Sequence, residues 1–171
     1  MNFPLFVNLQ GKHILIVGAG LIAARRATVL VEFGAEVTVV APKSREIPCA
    51  QNEKSTKSSG DCPVVSIGQL AQSHRLVWKQ RKFEESDLER KFLVIAATND
   101  SDLNDRIAQL CKAKKIPVNH AGDQKQCDFQ FPAIVRNDPI VIGINAGGKD
   151  HGLVRRMAAR LRLWIAQAAD S

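Results

Sequence analysis

The sequence predicts an α/β fold in which helices cover a parallel sheet, followed by a small β unit and a C-terminal helix. Three features carry this expectation. Short runs of strand length, His13–Val17, Glu36–Val40 and Phe92–Ala97, are separated by stretches with helical spacing or loop composition. Phe92-Leu-Val-Ile-Ala-Ala97 is apolar throughout, which suits a strand in the middle of a sheet covered on both faces. Beyond Asn119 the rhythm changes to two strand-like runs with only a turn between them.

The first strand runs straight into Gly18-Ala-Gly20-Leu-Ile-Ala23 and then into a helix over 21–33, whose Ile22, Ala23, Ala27, Leu30 and Val31 share a face. Gly34 follows as a C-terminal cap. In this setting Gly18 permits a tight turn, Gly20 lets the backbone approach a phosphate, and small Ala23 lets the helix lie close to the sheet. Unpaired N–H groups at the helix start attract an anion. The corner therefore reads as the cradle for a dinucleotide diphosphate, within a Rossmann-like sheet.

After the second strand, Pro42 to Pro63 is rich in Ser, Lys, Asn and Gln and reads as a solvated loop. A third strand is expected to include Arg75–Lys79, with a short helical turn over Phe83–Leu88. The next helix starts near Ser101, buries Leu103, Ile107, Leu110 and Cys111, and ends in Lys112, Lys114 and Lys115, which complement the negative helix end. Pro117-Val-Asn119 is a further short strand. Phe129–Val135 and Ile140–Asn145 then form a hairpin around Arg136-Asn-Asp-Pro139. Leu153 to about Ala168 is the final helix, with Leu153, Val154, Met157, Leu161 and Trp164 on one side and Arg155, Arg156, Arg160 and Arg162 around the rest. The expected organisation is a dinucleotide-binding domain over 1–116, a small β unit over 117–148 and the terminal helix over 149–171.

At 171 residues the chain is long enough for a real core, burying roughly 70% of its unfolded surface. Its four cysteines, Cys49, Cys62, Cys111 and Cys127, contain no CxxC pair and no companion His cluster. Neither a metal site nor a disulfide framework is indicated, and reduced thiols fit a cytoplasmic protein. No apolar run approaches the ~18 residues that span a bilayer, so no membrane partner is expected. The Met1-Asn-Phe-Pro-Leu-Phe start lacks the basic region of a signal peptide. A formal charge of +7 favours an anionic partner. With two Trp, no Tyr and no recognition signature, nucleic acid is not the expected one.

Several residues could carry chemistry. Thr98 and Asn99, at the end of a central strand, either contact a nicotinamide or, with Asp100, satisfy backbone groups before the next helix. The end of the second strand offers Ala41-Pro42-Lys43 where an acidic ribose ligand often stands. Lys43 either meets a phosphate, favouring NADP, or is a solvated lysine. Gly147-Gly-Lys149 before the arginine-rich helix suits a carboxylate or phosphate, and Arg155 and Arg156 could bind carboxylates bidentately unless they only form a solvated face. His120 and Asp123 lie just beyond Val118-Asn119, where a crevice-facing acid or base would stand, although such a His is often structural. Cys127 reads as a small apolar filler.

Taken together, Pro4-Leu-Phe-Val-Asn-Leu9, Val17-Gly-Ala-Gly20 with Ala24-Arg-Arg26, Val37-Thr-Val-Val-Ala-Pro42, Val94-Ile-Ala-Ala-Thr98, Val118-Asn119, Cys127-Asp-Phe-Gln-Phe-Pro-Ala133 and Gly147-Gly-Lys149 resemble precorrin-2 dehydrogenases, including the amino-terminal module of siroheme synthases. The likeness runs in order from about residue 3 to 165. It implies NAD-dependent oxidation of the tetrapyrrole precorrin-2 to sirohydrochlorin, and a homodimer in which the small β units pack together. The family's cofactor contacts fall on Gly18, Gly20, Leu21, Ile22, Pro42, Lys43 and the Thr98 loop. The substrate's carboxylates give Lys149, Arg155 and Arg156 a physical reason.

Three departures qualify the likeness. The family's aspartate three residues after the Asn of Val-Asn is replaced here by Gly122, and Asp123 follows immediately, so Asp123 becomes the candidate acid, base or orienting group. Asn145-Ala146 stands where relatives often have Ser or Thr before the glycines. A single helix follows, where many relatives continue with more. In the expected reaction a hydride passes to a nicotinamide above Gly18–Gly20 and a proton goes to Asp123, His120 or solvent. A bifunctional dehydrogenase and ferrochelatase, or a non-catalytic module that binds a nucleotide or tetrapyrrole, are the alternatives.

Overall fold

The computed structural model describes residues 3–44 and 65–169. Most of the expected Ser/Lys-rich loop, with Cys49 and Cys62, lies outside the described residues. The elements run β1 (His13–Val17), α1 (Leu21–Glu32), β2 (Glu36–Val40), α2 (Ile67–Gln72), β3 (Val77–Lys79), a 3-10 turn (Glu85–Leu88), β4 (Leu93–Ala96), α3 (Ser101–Ala113), β5 (Val118–His120), a second 3-10 turn (Gln124–Gln126), β6 (Ala133–Asn137), β7 (Ile140–Ile144) and α4 (His151–Ala169). Two compact units result. One holds described residues 7–44 and 65–129, the other 3–6 and 130–169.

The first unit is a five-stranded parallel sheet ordered β3-β2-β1-β4-β5. Its central strands are buried on both faces, with Ile14, Leu15, Ile16, Val94 and Ile95 wholly inaccessible, as their unbroken apolar sequence requires. Ala23, Ala24 and Ala27 of α1 are wholly buried too, so a line of small side chains brings that helix close to the sheet. Phe33 ends the helix. Gly34, at φ +80°, donates to Val31 O while Ala35 donates to Leu30 O, the paired bonds of a Schellman cap. On the α3 side, Ile107, Ala108 and Cys111 pack with Leu15, Val17, Val40, Val94, Ala96 and Val118. Burial pushes the Cys111 thiol up to about 12, with the Asp128 carboxylate adding to it, so Cys111 packs as a neutral thiol.

Four differences from the sequence reading have physical causes. Helix α2 was not expected, because six residues are too few for periodicity to show; its signal is the capping box, in which Ser66 Oγ accepts from Gln69 N–H and the Gln69 side chain accepts from Ser66 N–H. Strand β5 pairs with β4, so it belongs to the first unit and His120 ends a strand rather than following one. In the hairpin, Arg136 and Asn137 join the ladder opposite Val141 and Ile140, leaving Asp138-Pro139 as the turn, while Phe129–Pro132 stays outside it. On α4 the buried stripe is Ala158 and Ile165 with Leu161 beside them, packed against Val135, Ala133, Ile142 and Ile144. Leu153, Met157 and Trp164, which the sequence groups on one side with Leu161, are exposed.

Asp87 secures the outer edge of the sheet. Its carboxylate, 1% exposed, takes two bonds from Arg81 (2.8 and 2.6 Å), one from Lys79 of β3 (3.1 Å) and one from Glu84 N–H (3.1 Å). Burial alone would raise its pKa, but these donors outweigh it and hold the carboxyl at about 2. A depressed folded pKa means stability that is full above the unfolded value and lost as pH falls through the folded one. Asp87 should therefore contribute about 2 kcal/mol at neutral pH, lost between about pH 4 and pH 2. Urea denaturation of Asp87→Asn should show a loss of that order at pH 7 and little difference from the parent near pH 2.

Candidate active site

The strand order makes β1 and β4 neighbours although β2 and β3 intervene in sequence. The crevice at the carboxyl ends of such a pair is where open α/β sheets take ligands. Gly18, Gly20, Leu21 and Ile22 follow β1, Pro42 and Lys43 follow β2, Thr98 and Asn99 follow β4, and His120 and Asp123 end or follow β5. These expected site residues share one edge of the sheet. Lys149, Arg155 and Arg156 belong to the other unit.

Gly18 has φ +110°, and a Cβ built on it would overlap the carbonyl oxygen of Ala97. Its N–H donates to Val40 O (2.9 Å), while Ala97 N–H donates to Val17 O (2.8 Å). Only glycine closes this corner. Gly20 differs: a Cβ there would meet nothing within 4 Å. Gly20 is the N-cap of α1, has no capping side chain, and no acidic residue stands in the first turn. The first helical bond is donated by Ala24 to Gly20 O, so the amides of Leu21, Ile22 and Ala23 precede it. The other described helices start on side-chain acceptors, Ser66 for α2, Asp100 for α3 and Asp150 for α4. A helix start with open space and unclaimed amides fits an anionic diphosphate, with Leu21 and Ile22 exposed beside it.

The remaining strand ends are tied down by side chains. Trp78 Nε1–H donates to Ala41 O (3.0 Å) below the exposed Pro42 and Lys43. Thr98 is bound to buried Asn104: its N–H and Oγ1–H both point to Asn104 Oδ1 (3.1 and 2.8 Å), and Asn104 Nδ2–H returns to Thr98 O (3.1 Å). Thr98 Oγ1 also accepts from Asp100 N–H, so its side chain shapes the turn, and Asn99 is the exposed residue of the pair. Asn104 escaped the sequence reading. Its signal was a polar residue on the helix face that also carries Ile107 and Cys111.

His120 is 3% exposed. Its Nδ1 accepts from Gly122 N–H (3.1 Å) and Asp123 N–H (2.9 Å), which leaves the proton on Nε2, donated to Asp105 Oδ1 (3.0 Å). With both nitrogens engaged, His120 holds the loop. Gln126 Nε2 ties Asp105 (2.6 Å) to Asp123 (3.3 Å). Asp105 and Gln126 gave no sequence signal, because only tertiary folding brings them to His120. Asp123 Oδ1 accepts from Lys125 N–H (2.9 Å). That bond, the Gln126 contact and nearby positive charge hold its carboxyl below the usual range, so it is ionised at neutral pH. Cys127 Sγ accepts from His120 N–H (3.2 Å), and burial pushes its thiol up, consistent with packing rather than reactivity.

In the second unit Gly147 and Gly148 adopt positive φ, and Asn145 Oδ1 accepts from Gly147 N–H (2.7 Å). Asp150 Oδ1 accepts from Leu153 N–H (2.7 Å) and caps the start of α4, next to Lys149. Arg155 and Arg156 are exposed. Among the described residues, no helix is long and apolar enough to cross a membrane.

Comparison with known proteins agrees with this geometry. The siroheme synthase of Nitrosococcus oceani is 34% identical over 165 residues, and that of Hydrogenovibrio crunogenus 38% identical over 165 residues, covering 96% and 95% of this chain but 31% of each relative. The chain thus spans about a third of the length of these relatives. Among solved structures, "SirC, precorrin-2 dehydrogenase" superposes with a TM-score of 0.65 at 27% identity, covering 94% of this chain and 69% of that one. Residues 5–133 match the family described as "Putative NAD(P)-binding". With most of its length, including the Gly18–Gly20 corner, inside that match, the chain belongs to this NAD(P)-binding family.

Proposed function

We propose that the chain binds NAD at the Gly18–Gly20 corner and oxidises precorrin-2 to sirohydrochlorin. The observation that carries this reading is the shared fold along 94% of the chain with a precorrin-2 dehydrogenase. The unclaimed amides of α1 supply its physical support. When bound, NAD contributes a nicotinamide that accepts a hydride from the substrate. The chain then has three tasks: hold the dinucleotide, receive the proton released with the hydride, and hold the polycarboxylate.

Backbone amides from Leu21 to Ala23 hold the diphosphate, while Pro42, Lys43 and Asn99 border the same edge. Asp123 is ionised and so serves as the proton acceptor or as a fixed negative charge rather than as an acid. His120 is the positioning residue, since its ring fixes the backbone of Gly122 and Asp123. Lys149, Arg155 and Arg156 take substrate carboxylates. A homodimer belongs to the same reading, and the exposed Leu153, Met157 and Trp164 of α4 offer apolar surface for a second copy. So does a cytoplasmic setting, in which Cys111 and Cys127 remain thiols.

Anaerobic incubation with precorrin-2 and NAD should generate NADH at 340 nm, and folded, NAD-saturated protein without turnover would refute the reading. Asp123→Asn keeps an oxygen for Lys125 N–H, so it should fold and bind NAD while turnover falls by about 10²-fold; parent and variant both lacking turnover would instead indicate a binding module. Gly20→Ala should leave Tm unchanged and weaken NAD binding about tenfold by calorimetry, about 1.4 kcal/mol. Nitrogen-15 NMR should find His120 as the Nε2–H tautomer.

A further inference from the structure

We infer that the dinucleotide site accepts NADP as well as NAD, with Lys43 meeting the 2′-phosphate. This rests on the reading that the Gly18–Gly20 corner holds a dinucleotide, and it names what determines cofactor choice there. In sheets of this order, a carboxylate at the end of β2 selects NAD by accepting from the ribose hydroxyls and repelling a 2′-phosphate. The position is fixed here, because β2 lies in register with β1 from His13↔Glu36 to Val17↔Val40, and Gly18 N–H donates to Val40 O. The residues that follow are Ala41, Pro42 and Lys43. Buried Ala41 offers only a carbonyl, already taken by Trp78, and Pro42 offers neither an N–H nor a polar side chain. Exposed Lys43 is the first polar side chain available.

The neighbouring strand supplies no substitute carboxylate. Ala41 N–H donates to Lys79 O (3.2 Å), which places the end of β3 beside the end of β2. The acid tied to that end is Asp87, and both Lys79 and Arg81 pair with it, so two cations face one buried carboxylate. Glu84 stands 3.8 Å from Arg81, a cation already shared with Asp87. A 2′-phosphate would meet one ammonium and no unpaired acid among these residues. Lysine suits dual use, since a flexible point charge binds phosphate without the fixed fork geometry of arginine and costs NAD nothing when the phosphate is absent.

The test is calorimetry of the full chain titrated separately with NAD and NADP, with quenching of Trp78 emission in a Trp164→Phe background as a second readout. The expected result is NADP affinity within about tenfold of that for NAD, falling more steeply with added salt. Lys43→Glu should raise the NADP-to-NAD ratio of dissociation constants at least tenfold. Binding of NAD with NADP more than about 100-fold weaker, or an unchanged ratio in Lys43→Glu, overturns the inference and leaves the dinucleotide reading intact. Failure of both dinucleotides to bind overturns that reading and the inference with it.

Discussion

The near-contact of two backbones at Gly18 governs the rest of the structure. The Ala97 carbonyl occupies the space that a Cβ on residue 18 would need, so the end of β1 approaches the end of β4 more closely than any side chain would allow. Two bonds, Gly18 N–H to Val40 O and Ala97 N–H to Val17 O, tie the ends of β1, β2 and β4 together. From this fixed point α1 must leave toward the crevice, and the wholly buried Ala23, Ala24 and Ala27 let it do so without a gap. Gly18 and Gly20 thus do different work two residues apart. The first makes the fold possible, and the second leaves room beside the amides.

The strand ends around that point show a division between satisfied and unsatisfied polar groups. Asn104 closes the turn after β4, Trp78 pins the turn after β2, and His120 organises the loop after β5. Helices α2, α3 and α4 carry their own caps. Since side-chain caps satisfy orphan amides at every other described helix start, the bare start of α1 is the place where an external anion gains most. Stiff neighbours matter equally, because a site ordered before binding spends less free energy on ordering during it.

What could be read from the sequence was local. The strands, the Gly18–Gly20 corner and the α3 stripe follow from spacing and chain chemistry within a dozen residues, and so does most of the α1 stripe, from which Ile22 departs by lying exposed. Helix α2 was also local, but its evidence was a two-residue capping box rather than a stripe. What local spacing could not give was of another kind. Helix α4 carries apolar residues in two adjacent stripes, and only the shape of the β6–β7 face decides that Ala158 and Ile165 go inside while Trp164 stays 63% exposed. The job of His120 depends on Asp105, Gly122 and Asp123, and no spacing rule predicts that both ring nitrogens are spent. A histidine beside a crevice looks the same in sequence whether it transfers protons or braces a loop.

That bracing distinguishes positions 122 and 123 as places for a carboxylate. Gly122 and Asp123 present their amides to the same imidazole nitrogen, so the two positions are held as a unit. A Cβ on residue 122 would lie 3.4 Å from His120 Cε1 and 3.7 Å from its Nδ1, against the imidazole. The Asp123 side chain instead turns back to Lys125 N–H and Gln126. A carboxylate at 123 therefore has surroundings that position 122 would not give it, with two donors that keep it charged. A group so stabilised is a weaker base than a free carboxylate, and any proton it receives passes readily to solvent. In the proposed reaction the demanding step is hydride transfer, which depends more on how firmly two reactants are positioned than on the strength of the base beside them.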